Sequence, residues 1–221
     1  MNNFLIKPKI VTCSSADEFC TAYHIGKEDL VLVSGNMRKR NFPNAFTNAV
    51  VIDYRQYVTG EPTDTMIENI RQSIGKQKIN RIFAIGGGTI LDAAKLFALK
   101  EYSPVDKLFA DEILPQKDKK LFLIPTTCGT GSEMTNISIL ELTKNKTKLG
   151  LANDALFADE AILIPELLQN LPYQFFATSS MDALIHAIES YTSPKATDFT
   201  RVFSVGAIEK IIAGYKVIAT E

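Results

Sequence analysis

Short runs of consecutive apolar residues recur along the chain, and between them apolar positions return every three to four residues. The runs at 10–12, 31–33, 50–52, 81–85, 121–124, 137–140 and 161–164 have the length of strands. Several are apolar throughout, as strands are when both faces of a sheet are covered. Residues 16–23, 64–75 and 90–100 carry the helical period. Strands alternating with helices predict a parallel sheet with helices packed on it. Past Pro165 the strand signals stop, and "PELLQNLP", "SSMDALIHAIESY" and "DFTRVFSVGAIEKIIAGYKVIA" all read as helical. The expected architecture is an α/β domain over 1–165 followed by the start of an all-helical domain over 166–221.

Composition narrows the function classes. The formal net charge is −1, with 46% apolar residues, so no basic excess points to nucleic acid. No apolar run approaches the ~18 residues of a membrane span. The opening "MNNFLIKPKIV" lacks the apolar core of a secretory leader. Three cysteines, Cys13, Cys20 and Cys128, are odd in number and lack zinc-finger spacing, which predicts reduced thiols in a cytoplasm. The glycosylation-type triplets at Asn136 and Asn145 are then chance matches.

Two glycine-rich stretches follow strand-like runs. In "RIFAIGGGTILDAAK", residues 81–95, a strand enters Gly86-Gly87-Gly88 and a helix begins at once. Consecutive glycines let a ligand approach the backbone, and a helix N-terminus offers free N–H groups to an anion such as a pyrophosphate. The stretch is neither a G-x-G-x-x-G fingerprint nor a Walker loop. Asp92 and Lys95 lie one turn into the helix. A plain strand–helix turn with a solvated Asp and Lys explains this stretch alone equally well. The second stretch, "IPTTCGTGSEMT", offers the hydroxyls of Thr126, Thr127, Thr130 and Ser132 to a ribose or amide. In a parallel sheet both loops open on one crevice, so together they point to a dinucleotide.

A third signal lies near residue 180. Met181, Leu184, Ile185 and Ile188 form one apolar stripe, while Asp182 and His186, four apart, share another face. Ser179 is placed to cap this helix. A carboxylate and an imidazole at this spacing can reach one divalent metal ion. A capping Asp beside a surface His is the alternative, since two ligands do not complete a site. His24, the other histidine, reads as surface.

"GGGTILDAAK", "PTTCGTGSEMT" and "MDALIHAIESY", in this order, resemble the iron-dependent (group III) alcohol dehydrogenase family, and the likeness covers the whole chain. In detail "IPTTCGTGSEMTNISI", "LPYQFFATSSMDALIHAIESY" and "GEPTD" at 60–64 most resemble the branch acting on 4-hydroxybutyrate. The resemblance implies a Rossmann-like nucleotide-binding domain and a helical metal-binding domain, the dehydroquinate synthase-like arrangement. It implies hydride transfer between NAD (NADP not excluded) and a small primary alcohol or aldehyde such as 4-hydroxybutyrate and succinate semialdehyde. It further implies Fe2+, with Zn2+ an alternative, and a homodimer without membrane or nucleic-acid partners. By match, Gly86, Gly87, Gly88 and Thr89 would hold the pyrophosphate, with Asp92 beside them. Thr126, Thr127 and Thr130 would line the adenosine and nicotinamide, Lys148 would lie near the riboses, and Asp182 and His186 would be the first two metal ligands.

The chain departs from this pattern in three places. The family commonly has an aspartate after its second strand, where "VLVSGN" offers Gly35. An asparagine before a proline is Glu61 here. No histidine follows His186 to supply the family's two further ligands, so the chain reads as a fragment or a truncated protein. Two alternatives to an NAD-dependent alcohol dehydrogenase stand beside it: a catalytically incomplete nucleotide-binding remnant, and a zinc polyol dehydrogenase of the same superfamily. No residue is singled out as a general acid or base.

Overall fold

The computed structural model describes residues 5–58 and 60–220; the first four residues of the segment read for a leader lie outside them. Eight strands are present among the described residues: β1 (Lys9–Thr12), β2 (Asp29–Val33), β3 (Val50–Ile52), β4 (Arg81–Gly86), β5 (Lys120–Pro125), β6 (Ile137–Leu142), β7 (Thr147–Ala152) and β8 (Glu160–Leu163). Six of them form one all-parallel sheet in the order β1-β8-β5-β4-β2-β3. The unbroken apolar runs have the expected cause. Leu30, Leu32, Ile82, Ala84, Leu121 and Leu123 point into the core on one face, and Val31, Val33, Phe83, Ile85, Phe122 and Ile124 into the core on the other. Helices cover both faces, so neither side of the sheet needs a polar alternation.

Helix α1 (Ala16–Tyr23) starts at Ser15, whose hydroxyl accepts from the Glu18 N–H at 3.1 Å. It brings Phe19 onto one face, beside Phe42 and Phe83. It ends at His24, exposed and in the left-handed region with φ 43°. A short polar helix, α2 (Gly35–Asn41), follows β2. Helix α3 (Asp64–Ile74) buries Met66, Ile67, Ile70 and Ile74 on the opposite face. Helix α4 (Gly88–Phe97) is buried from Ile90 to Phe97, and the five-residue α5 (Val105–Phe109) follows it.

Strands β6 and β7 stand apart from the main sheet as an antiparallel hairpin. The sequence marks 137–140 as a strand but shows no clear signal for β7, α2 or α5. In β7 only Leu151 is buried, α2 reads GNMRKRN, and α5 is little more than one turn. None presents enough apolar residues to make a period.

The chain divides into two compact units. The α/β unit comprises residues 6–126 and 132–170. "PELLQNLP" contributes only a 3-10 turn, Pro165–Leu168, to this unit, because Leu167 is buried in its core. The other unit is helical and takes in the segment 127–131 together with the chain from 171 onward. Within it α6 (Tyr173–Thr192) and α7 (Asp198–Ile218) pack together. Tyr215 Oη donates to Ser180 Oγ at 3.0 Å, and Ser204 Oγ to Ser190 Oγ at 2.9 Å. Ser179 does not cap a helix, contrary to the sequence reading. Helix α6 begins six residues earlier, after Pro172, whose ring sets the entry of the chain. The Ser179 hydroxyl instead donates to the Phe176 carbonyl at 3.3 Å. The stripe Met181, Ile185 and Ile188 is exposed by 45–47%, so periodicity located the helix but not a buried face.

Candidate cofactor and metal site

Strand β4 lies between β2 and β5, and Gly86 pairs with Pro125 at their C-terminal ends. The Thr126 N–H donates to the Gly86 carbonyl at 3.0 Å and extends the ladder by one step. The two glycine-rich stretches therefore leave neighbouring strands on the same edge. The chain runs from β2 to β3 in one direction across the sheet and from β4 to β5 in the other. The gap between the ends of β2 and β4 is thus a topological switch point, where open α/β sheets hold ligands.

The turn at this point is tight. A Cβ on Gly86 would stand 2.4 Å from Ile90 Cγ2 and 2.9 Å from the Tyr54 hydroxyl. Gly86 is therefore required by packing. Gly87 is the N-cap of α4, with ordinary extended dihedrals (φ −83°, ψ −177°) and no side-chain cap. The first turn of α4 thus begins without the side-chain acceptor that usually satisfies its N–H groups. Gly87, Gly88 and Thr89 are partly accessible. This combination fits a pyrophosphate: N–H donors, a positive dipole end and no side chain in the way.

Asp92, grouped by sequence with the cofactor residues, is buried beneath the hairpin. Its Oδ1 accepts from Lys95 Nζ at 2.9 Å and its Oδ2 from the Ile139 N–H at 3.2 Å. Lys95 is fully buried and also donates to the Ile137 carbonyl at 2.5 Å and Thr135 Oγ1 at 3.0 Å. Ser138 Oγ donates to the Asp92 carbonyl at 2.8 Å. Burial pushes the Lys95 ammonium below its ordinary value, and the Asp92 charge opposes that shift. The pair anchors the hairpin to α4. Glu133, in the short turn before β6, lies within the hydroxyl-rich stretch but was not singled out there; burial raises its carboxyl pKa above the ordinary value. Lys148 lies on β7, exposed, and pairs with Glu61 at 3.0 Å. An exposed pair of this kind contributes at most ~1 kcal/mol.

Thr126 is partly buried at the end of β5, whereas Thr127 and Thr130 belong to the segment that goes with the helical unit. That segment lies close against α6. A Cβ on Gly129 would stand 2.6 Å from the Ser179 carbonyl oxygen, and Cys128 Sγ lies 3.3 Å from Ser179 Oγ. Glycine at 129 is thus a packing requirement, and Cys128 is a half-buried packing residue.

On α6, Asp182 Oδ1 and His186 Nε2 are 3.8 Å apart, with side chains 45% and 54% exposed. They face one another as two donors suited to iron or zinc. Among the described residues no group of three or more His, Cys, Asp or Glu side chains is gathered. The pair fits two positions of a metal site that ordinarily takes three or more protein ligands. The 221-residue chain is accordingly expected to retain far less than one equivalent of iron or zinc after dialysis. Elemental analysis finding one tightly held ion per monomeric chain would contradict this.

Residues 11–165 match the iron-containing alcohol dehydrogenase family, and residues 176–221 match the C-terminal region of the Fe-containing alcohol dehydrogenases. The chain belongs to the iron-containing alcohol dehydrogenase family. It is 43% identical over 210 residues to the 4-hydroxybutyrate dehydrogenase of Clostridium kluyveri, covering 95% of this chain and 57% of that protein. It is 35% identical over 169 residues to the sulfoacetaldehyde reductase of Bilophila wadsworthia, covering 75% of this chain and 44% of that protein. The crystal structure of sulfoacetaldehyde reductase from Bifidobacterium kashiwanohense in complex with NAD+ shares the fold. Its TM-score is 0.82 at 23% identity, over 96% of this chain and 58% of that one. The chain therefore spans about half the length of these relatives.

Proposed function

We propose that this chain is the dinucleotide-binding region, with the first metal-binding helices, of a metal-dependent alcohol dehydrogenase. The reaction is hydride transfer between NAD(H) and a small primary alcohol or aldehyde, with 4-hydroxybutyrate and succinate semialdehyde as the substrate pair. The observation that carries this reading is the β4–α4 turn at the switch point, bare of side chains and headed by helix N–H groups. The 43% identity to a 4-hydroxybutyrate dehydrogenase supports the substrate class. When bound, the nicotinamide accepts or gives the hydride, and a divalent cation polarises the reacting oxygen as a Lewis acid. Gly86 to Thr89 would bind the pyrophosphate, Thr126 would approach the nucleoside, and Asp182 with His186 would hold the cation. The free cysteines Cys13, Cys20 and Cys128 accord with a cytoplasmic protein.

A 4-hydroxybutyrate substrate carries a carboxylate at its far end, and a charge-assisted hydrogen bond to it contributes roughly 1.5–3 kcal/mol. The longer protein of which this chain is proposed to be part should therefore oxidise 4-hydroxybutyrate with a clearly higher kcat/KM than 1-butanol. Equal values with NAD, measured with iron and with zinc, would remove the hydroxy-acid assignment and leave a general primary-alcohol dehydrogenase. A second reading is a nucleotide-binding protein without a working metal site. Binding of NADH by the 221-residue chain, without metal retention or alcohol oxidation, is its signature.

A further inference from the structure

On the dinucleotide reading above, we infer that Asp53 is the residue that reads the adenosine ribose and sets the preference for NAD over NADP. In doubly wound sheets the glycine-rich turn follows one strand, and the carboxylate that accepts from the ribose hydroxyls stands at the C-terminal end of the strand beside it. Here the glycine-rich turn follows β4, and the strand beside it across the switch point is β2. Strand β2 runs out into Ser34 and Gly35, which carry no acid. The Ser34 hydroxyl is occupied as the cap of α2, accepting from the Met37 N–H at 3.2 Å.

The carboxylate comes instead from the next strand. Asp53 directly follows β3, which pairs in parallel with β2 through Ile52 and Leu32. Its Oδ2 lies 2.6 Å from the point where a Cβ of residue 35 would stand. Any side chain at position 35 would displace this carboxylate, so the glycine and the acid are complementary. Oδ1 accepts from the Arg55 N–H at 3.1 Å, which orients the group as the cap of the short turn Tyr54–Gln56. The next residue, Tyr54, is buried, and its hydroxyl reaches Gly86. Consecutive residues therefore touch the end of β2 and the start of the glycine turn, which sets Asp53 at the rim of the same crevice. A carboxylate there accepts from the ribose 2′- and 3′-hydroxyls and repels a 2′-phosphate. Arg38, Lys39 and Arg40 on α2, with Arg55 on the short turn, are the basic groups that would act in the opposite sense.

The test is a titration of the purified 221-residue chain with NADH, NADPH, ADP-ribose and 2′-phospho-ADP-ribose, by calorimetry, without metal or alcohol. Loss of charge-assisted hydrogen bonds corresponds to roughly a tenfold change in affinity. The wild-type chain should prefer NADH over NADPH, and ADP-ribose over its phosphorylated form, by at least that factor. Asp53→Asn keeps the shape and the acceptor for Arg55, and should reduce the preference by roughly the same factor. Moving the acid to β2, in the pair Asp53→Ser with Gly35→Asp, should restore it. An unchanged preference in a folded Asp53→Asn chain would overturn the assignment while leaving the dinucleotide site in place. A wild-type preference for the phosphorylated ligands would overturn it in favour of the α2 cations. Failure of the wild-type chain to bind any of the four would overturn the dinucleotide reading and this inference together.

Discussion

Lys95→Met is expected to destabilise the α/β unit by about 3–5 kcal/mol, the cost of breaking a buried ion pair from one side. The substitution keeps most of the side-chain volume, so little of the loss comes from a cavity. It removes the donor for Asp92, the Ile137 carbonyl and Thr135 Oγ1 at once. Asp92→Leu should be damaging for the reciprocal reason, since it strands an ammonium that has no access to water. The combined Lys95→Met/Asp92→Leu chain should be more stable than the sum of the two losses predicts, because the second change no longer strands a charge. Urea unfolding followed by circular dichroism measures all three. A loss below ~1 kcal/mol in Lys95→Met, the size of an exposed pair, would show that the hairpin does not depend on this anchor.

Gly86→Val and Gly87→Val should separate packing from binding, although the two residues are adjacent. At Gly86 the new Cβ alone comes within 2.4 Å of Ile90 and 2.9 Å of the Tyr54 hydroxyl. Both neighbours are buried, so relief requires repacking, and a loss of about 3 kcal/mol is expected. At Gly87 the backbone is in a region any L-residue adopts. That variant should fold, at the modest cost of about 1 kcal/mol for a poor N-cap. It should weaken NADH binding at least tenfold, or about 1.4 kcal/mol, because the valine intrudes where the pyrophosphate approaches the backbone. Thermal denaturation and NADH titration of both variants check the contrast. Unchanged NADH affinity in folded Gly87→Val would place the dinucleotide elsewhere.

Periodicity alone exposes the α/β class, because β2, β4 and β5 are buried on both faces and must be apolar throughout. Helices α1, α3 and α4 are equally legible, since each carries its own period. The glycine turn, the hydroxyl-rich loop and the Asp182–His186 pair are local in sequence and can be quoted as motifs. Tertiary structure decided where those residues lie and what they touch. Asp92 reads as a residue beside the cofactor or, with Lys95, as a solvated group one turn into a helix; both lie buried, because a hairpin formed some 40 residues later folds over them. Gly129 reads as cofactor loop and is a contact with a helix 50 residues away. The start of α6 and the exposure of its apolar stripe were likewise beyond the local pattern, which records period but not what lies opposite. Asp53 shows the division most clearly. The sequence determines that no acid follows β2, and it places an aspartate after β3 without marking it. Only parallel pairing of β2 with β3 sets the two strand ends side by side, and only the absence of a side chain at Gly35 leaves room for the carboxylate between them.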